Sequence, residues 1–170
     1  MDRPQPQVLQ TLDRIGRRLE DALLVLLLGG LIGLAALQIV QRNLFSAGFV
    51  WSDELLRLMV LWLALIGAVA ASRDDNHINI DVLSRLLPPR LQQAAHIVVD
   101  LFTCALCAFL AWHGGRFVAG EREFASTVLG GLPAWPFESV IPVGFGLISW
   151  RYAVFFIRDL LQLGRGEVPE

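Results

Sequence analysis

The chain has 170 residues, of which 55% are hydrophobic and only 18% are charged, whereas roughly 25% charged is usual for a soluble domain. The net charge is −2 and all 14 basic residues are arginine, so neither a nucleic-acid-binding surface nor a disordered chain is indicated. The composition predicts an all-α integral membrane protein that forms one domain over residues 1–170.

The first predicted span covers residues 22–40, in which Gln38 is the one strongly polar side chain. At about 1.5 Å per residue, a helix of this length crosses a hydrocarbon core of about 30 Å. Apolar residues also recur at helical spacing among the charged residues before the span; they are Val8, Leu12, Ile15 and Leu19. This pattern predicts an N-terminal amphipathic arm that lies at the membrane interface.

Three further apolar segments of spanning length follow, at residues 55–71, 94–112 and 136–157. The arginines indicate the orientation of the four spans. Nine arginines lie in the two tails and in the loop between spans two and three, and three lie on the other side. Because positive charge is retained on the inner side, the sequence predicts four transmembrane helices with both termini cytoplasmic. Two small-residue pairs, Gly29 with Gly33 and Gly67 with Ala71, have the spacing that lets helices approach closely.

A charged segment precedes the second span and reads Trp51-Ser52-Asp53-Glu54-Leu55-Leu56-Arg57. Ser52 is a good helix cap, and acidic residues in a first turn complement the helix dipole. We therefore expect Asp53 or Glu54 to cap the second helix and to pair with Arg57, which lies within one turn. The alternative is a charged rim that docks another subunit.

Asp100 lies inside the third span and Arg151 inside the fourth. Asp100 follows Ala94 by six residues and Arg151 precedes Ile157 by six, so both lie about 9 Å from the same membrane face. Because a lone charge inside a span is costly, we expect these two side chains to form an intramembrane ion pair. A proton or ion relay at Asp100 is the alternative, as is an Arg151 that reaches the headgroups.

No motif predicts a catalytic, cofactor or metal site. Cys104 and Cys107 form a CxxC in mid-span, without the basic neighbour or helix N-terminus that activates a thiol. His96 and His113 are seventeen residues apart, about 25 Å along a helix, and so cannot share a haem. The sequence also shows no broken pair of half-helices and no inverted repeat, the usual marks of a transporter's binding site. We expect neither an enzyme nor a complete transporter, and no cofactor.

The second span, the loop after it and the region of the fourth segment resemble a known family of membrane subunits. The matching residues are Trp51-Ser52-Asp53-Glu54, Arg57, Trp62, Gly67-Ala68, Arg73, His77-Ile78-Asn79-Ile80-Asp81, Leu132-Pro133-Ala134-Trp135 and Ile141-Pro142-Val143-Gly144. In this order and spacing they resemble the small, DctQ-like membrane subunit of tripartite ATP-independent periplasmic (TRAP) transporters. The likeness covers roughly residues 20 to 160. Asn76 stands where many members of that family have glycine.

The resemblance implies a four-helix subunit of the bacterial inner membrane. It implies two protein partners: a large membrane subunit that carries the substrate and sodium sites, and a periplasmic binding protein that delivers an organic acid. This chain is then expected to act as a scaffold, with docking or structural roles for the following residues: Trp51, Asp53, Glu54, Arg57, Arg73, His77 and Asp81. The alternative is a stand-alone small ion-coupled carrier that uses Asp100 as its coupling group.

Overall fold

A computed structural model describes residues 7–45, 50–73 and 89–165 of the chain. Within these residues there are five helices and one two-stranded hairpin. In chain order they are α1 Gln7–Phe45, α2 Val50–Ala71, α3 Pro89–Glu123, β1 Thr127–Val128, β2 Leu132–Pro133, α4 Trp135–Glu138 and α5 Val140–Arg165. Four helical segments are long and apolar enough to cross a membrane, namely 16–44, 51–71, 95–123 and 135–161. The prediction of an all-α protein with four spanning helices is thus confirmed by length and composition.

The helices extend beyond the apolar runs that predicted them. α1 has 39 residues and is therefore about 58 Å long, well beyond the roughly 30 Å of a hydrocarbon core. It runs without a break from the predicted amphipathic arm into the first span, and the position of that arm at the interface stays a prediction. α2 begins at Val50 rather than at residue 55. The apolar run marks only the part suited to lipid, whereas backbone hydrogen bonding continues through the polar ends.

The long helices pack in the order α1, α2, α5, α3. α3 and α5 make the most extensive contact, α2 packs on α5, and α1 packs on α2. The buried core lies where three of them meet, at Val69 of α2, Cys107 of α3 and Ile148 of α5. α1 therefore lies at the edge of the bundle, and α2 is the helix that joins it to the rest.

Glycines allow close approach at two of these helix contacts. A Cβ on Gly30 of α1 would lie 2.9 Å from Cε of Met59, and one on Gly114 of α3 would lie 3.0 Å from Cγ2 of Ile141. Gly29 and Gly33, one of the predicted small-residue pairs, have nothing within 4 Å of an added Cβ. The close contact between α1 and α2 thus uses Gly30, and neither glycine of the Gly29–Gly33 pair takes part in it.

A β-hairpin joins α3 to the last two helices, and the sequence analysis did not predict it. Thr127 pairs with Pro133 and Val128 with Leu132, in antiparallel register. The turn is left-handed at three successive residues, with φ of 55° at Leu129, 80° at Gly130 and 130° at Gly131. Two adjacent glycines adopt such φ values without a Cβ clash, so the Gly-Gly sequence makes this tight turn possible. We call the end of the bundle that carries β1 and β2 the hairpin end.

Candidate functional site

The charged start of α2 holds the hairpin end together. Glu54 accepts a hydrogen bond on Oε2 from the backbone N–H of Leu129 at 2.6 Å. Asp53 accepts one on Oδ1 from Nε2 of Gln38, near the end of α1, at 2.5 Å. A carboxylate acceptor makes a stronger hydrogen bond than a neutral one, and Glu54 thereby fixes the strained turn of the hairpin to α2. The two acids therefore connect α2 to the hairpin and to α1.

The predicted ion pair between Arg57 and these acids is not what the structure shows. Arg57 is exposed, and none of the ion pairs among the described residues includes it. Asp53 and Glu54 instead accept hydrogen bonds from Gln38 and Leu129. Trp51 is 40% exposed, and Ser52, the third residue of α2, is 4% exposed.

Trp62 makes a second link across the hairpin end. Its indole Nε1 donates a hydrogen bond of 2.8 Å to the backbone carbonyl of Phe137 in α4. Ala134, which precedes α4, is only 2% exposed, and Ser139 caps the same short helix by donating from Oγ to the carbonyl of Pro136 at 2.6 Å. A buried indole N–H needs an acceptor, and a short helix supplies one at its C-terminal carbonyls. Trp62 thus holds α4 against α2.

At the opposite end, which we call the arginine end, Arg73 joins α2 to α1. Its Nε lies 3.2 Å from Oε2 of Glu20, and its Nη2 lies 2.8 Å from Oδ1 of Asp21. The same side chain donates to the carbonyl of Ala70 at 3.0 Å and to that of Arg17 at 3.3 Å. The last carbonyls of a helix lack intrahelical partners and favour a cation, so Arg73 both caps α2 and binds α1.

Arg151 brings α5 into the same cluster. Its Nη2 lies 2.9 Å from Oε1 of Glu20, and its Nη1 donates to the carbonyl of Val69 and, at 3.2 Å, to Oγ of Ser72. The ion pair shown for Arg151 is therefore with Glu20, and the expected Asp100–Arg151 pair is not the one that forms. Arg151 instead reaches Glu20, which lies just before the first predicted span.

Asp100 lies on the inner face of α3 and is only 1% exposed. The stripe that contains it, including Cys104 and Cys107, faces the bundle, whereas Val98 and Phe102 face outward. Further along this stripe, Oγ of Ser149 donates to the carbonyl of Cys104 at 3.0 Å. Both cysteines are free. This face thus holds α3 on α5.

Two predicted site residues, His77 and Asp81, lie outside the described residues. Within the described ranges, no group of three or more His, Cys, Asp and Glu side chains could hold a metal ion. The sequence analysis missed Glu20, Gln38 and Leu129 as partners of the predicted residues. Glu20 carries a signal that could have been used, since it lies just before the first span at the depth of Arg73.

The comparisons with known proteins identify the family. The family model described as "Tripartite ATP-independent periplasmic transporters, DctQ component" matches residues 31–162. The chain is 24% identical over 196 residues to the C4-dicarboxylate TRAP transporter small permease protein DctQ of Pseudomonas aeruginosa. That alignment covers 95% of this chain and 93% of the Pseudomonas protein. It is 26% identical over 143 residues to the sialic acid TRAP transporter small permease protein SiaQ of Vibrio cholerae, covering 84% and 82%.

A third relative is a much longer protein. The chain is 29% identical over 135 residues to the sialic acid TRAP transporter permease protein SiaT of Haemophilus influenzae. That match covers 79% of this chain but only 22% of the length of SiaT. The matched range includes Glu54 and Trp62, whose hydrogen bonds connect α2 to the hairpin and to α4. It also includes Arg73 and Arg151 of the arginine end. The chain belongs to the family of the DctQ component of tripartite ATP-independent periplasmic transporters.

Proposed function

We propose that this chain is a scaffold for a larger permease, with which it takes up an organic acid that a periplasmic binding protein delivers. Uptake is coupled to sodium, and the sodium and substrate sites lie on the larger permease. The chain itself needs no cofactor. Its family consists of transporter components and not of enzymes, and the chain is a multi-pass protein of the inner membrane.

The observation that carries this proposal is the match to SiaT. A segment similar to this chain makes up 22% of that permease, so about four-fifths of SiaT is additional sequence on the same polypeptide. Covalent joining of two segments in one protein favours contact between the corresponding separate chains in another. The sialic acid and C4-dicarboxylate names of the relatives support a carboxylate-bearing substrate for the complex.

The architecture supports a scaffold role for the chain itself. Its charged side chains connect helices at the two ends of the bundle, through Glu54 at the hairpin end and through Glu20 with Arg151 at the arginine end. Ion pairs and hydrogen bonds of this kind hold helices in fixed positions.

The test is transport in proteoliposomes. We expect an inward sodium gradient to drive uptake of a radiolabelled organic acid when this chain, a large TRAP permease subunit from the same organism and the binding protein are all present. Omission of this chain should abolish uptake, and the chain alone should transport nothing. Uptake by this chain alone would contradict the proposal and favour a stand-alone carrier that uses the buried Asp100.

A further inference from the structure

α2 carries an open stripe along its whole length. At about 100° per residue, six exposed positions of this helix fall on one narrow face. We call this face the α2 stripe; its residues are Asp53, Arg57, Val60, Ala64, Ala68 and Ala71. On one side of the stripe α2 contacts α1 through Met59, and on the other it contacts α5 through Leu65. The stripe is therefore the outward face of α2, turned away from the contacts of α2 with α1 and α5.

The composition of the α2 stripe differs from the outward faces that suit lipid. On α5, the outward positions carry large apolar side chains, such as Leu147 at 47% exposed and Trp150 at 71% exposed. The α2 stripe has alanine at Ala64, Ala68 and Ala71 instead. Alanine offers lipid little contact area, whereas it allows the backbone of another helix to approach closely.

The charge on the α2 stripe is a separate observation. Arg57 follows Trp51 by six residues, so it lies about 9 Å along α2 from the hairpin end. It is exposed, and the carboxylates nearest in sequence hydrogen-bond to Gln38 and Leu129. An exposed arginine at this depth in a span is costly in lipid, and such residues usually face protein and pair with an opposite charge. We therefore expect the partner of the α2 stripe to supply a carboxylate that pairs with Arg57.

We propose that the α2 stripe docks a membrane-spanning helix of the larger permease, with an acidic side chain of that helix against Arg57. The inference rests on the proposed function, which supplies the occupant: in SiaT, a segment like this chain belongs to the same polypeptide as a much longer permease sequence. The alanines set the close approach of the two helices, and Arg57 sets their register along the α2 stripe. The proposal thus assigns the contact surface to α2 and not to the outward faces of α3 and α5.

Photo-cross-linking locates the contact. A benzophenone amino acid is placed at position 64 or 68 of the α2 stripe, or at the outward control positions 105 of α3 and 147 of α5, with the large permease co-expressed. We expect cross-links to the permease from 64 and 68 and none from 105 and 147. Cross-links to the permease from 105 or 147 alone would overturn the assignment of the α2 stripe while leaving the scaffold role intact. Cross-links from the α2 stripe to a second copy of this chain, or to lipid only, would also overturn it.

Matched substitutions separate close packing from charge. We expect Ala68→Leu to lower co-purification of the permease about tenfold, because a larger side chain in a close helix contact cannot be accommodated. The control Ala105→Leu makes the same change on an exposed alanine of α3 and should have no effect. Arg57→Gln should lower co-purification and Arg57→Lys should restore most of it, whereas Arg116→Gln, at an exposed arginine of α3, should not.

The purified variants are first compared by thermal unfolding, so that a loss of binding is not a loss of folding. Equal co-purification of the permease with Ala68→Leu, Arg57→Gln and the wild-type chain would overturn the docking proposal. Failure of the wild-type chain to co-purify with the permease would instead contradict the proposed function, and the inference with it. The two proposals therefore fail on different results.

Discussion

The ion pair between Glu20 and Arg151 predicts a specific loss of stability when the arginine is replaced. Their atoms Oε1 and Nη2 are 2.9 Å apart, and the side chains are 21% and 26% exposed. Removing one member of a buried pair costs about 3–5 kcal/mol when the other is left without a partner. In Arg151→Gln, however, Glu20 keeps its contact with Arg73 at 3.2 Å. We therefore expect about half of that cost, about 2 kcal/mol of the free energy of unfolding.

A double-mutant cycle in detergent measures this interaction. For a chain of this size, about 2 kcal/mol corresponds to a fall in Tm of about 4–8 °C for Arg151→Gln. Glu20→Gln combined with Arg151→Gln should show a coupling energy of about 1–2 kcal/mol, because the two side chains are in contact. Asp100→Asn combined with Arg151→Gln should be additive to within about 0.5 kcal/mol, because the structure gives Arg151 a different carboxylate.

The cycle can refute this assignment directly. A coupling energy for Asp100 with Arg151 that equals or exceeds that of Glu20 with Arg151 would show that the arginine end is assigned incorrectly. Additivity in both cycles would show that Arg151 stabilises the chain mainly through its hydrogen bond to the carbonyl of Val69. The Arg151→Gln substitution removes that hydrogen bond as well.

Three further predictions concern the hairpin, the α1–α2 contact and the topology. Glu54→Gln replaces the charged acceptor of the Leu129 backbone N–H by a neutral one, which weakens this hydrogen bond by about 1 kcal/mol. Hydrogen exchange of the Leu129 amide should therefore become about fivefold faster. Gly30→Leu should lower Tm by about 4 °C through overpacking against Met59, measured beside Gly29→Leu, which has open space. In a cysteine-free chain with single engineered cysteines in intact cells, a membrane-impermeant thiol reagent should label two of five positions. The positions expected outside are 46 and 120, and those expected inside are 5, 76 and 167.

Each of these predictions can fail on its own. Unchanged exchange at Leu129 in Glu54→Gln would show that the strained turn holds without the carboxylate. Equal Tm values for the Gly30 and Gly29 variants would contradict the close contact with Met59. Labelling of position 76 from outside would reverse the orientation derived from the arginines.

The sequence predicted the four spanning helices because each contains a mostly apolar run of spanning length, a signal that depends on composition alone. It did not predict where the helices end, since polar residues such as Ser52 and Glu54 continue a helix without extending the apolar run. The hairpin was missed because its strands have two residues each, too few to show alternation. The one available signal was the pair Gly130 and Gly131, which favours a turn.

The candidate site was predicted as a set of residues but not as a set of contacts. Position along a helix follows from residue number, and on that basis Asp100 and Arg151 were predicted to lie near one membrane face, which stays a prediction. The direction in which each helix faces its neighbours depends on packing, and no single sequence contains that information. Glu20 therefore took the place predicted for Asp100, and Leu129 and Gln38 took the place predicted for Arg57.

The packing order of the bundle has a consequence for its biosynthesis. The hydrogen bond from Trp62 to Phe137 joins residues 75 apart, and that from Arg151 to Val69 joins residues 82 apart. At about 5–20 residues per second, a ribosome needs about 4–15 s to add the residues between Trp62 and Phe137. During that interval the indole N–H of Trp62 lacks the acceptor that α4 supplies, whereas the carbonyl of Val69 accepts from Oγ of Ser72 as soon as that residue has been made. Until Arg151 has been added, α1 and α2 therefore lack the polar contacts through which α5 binds both of them.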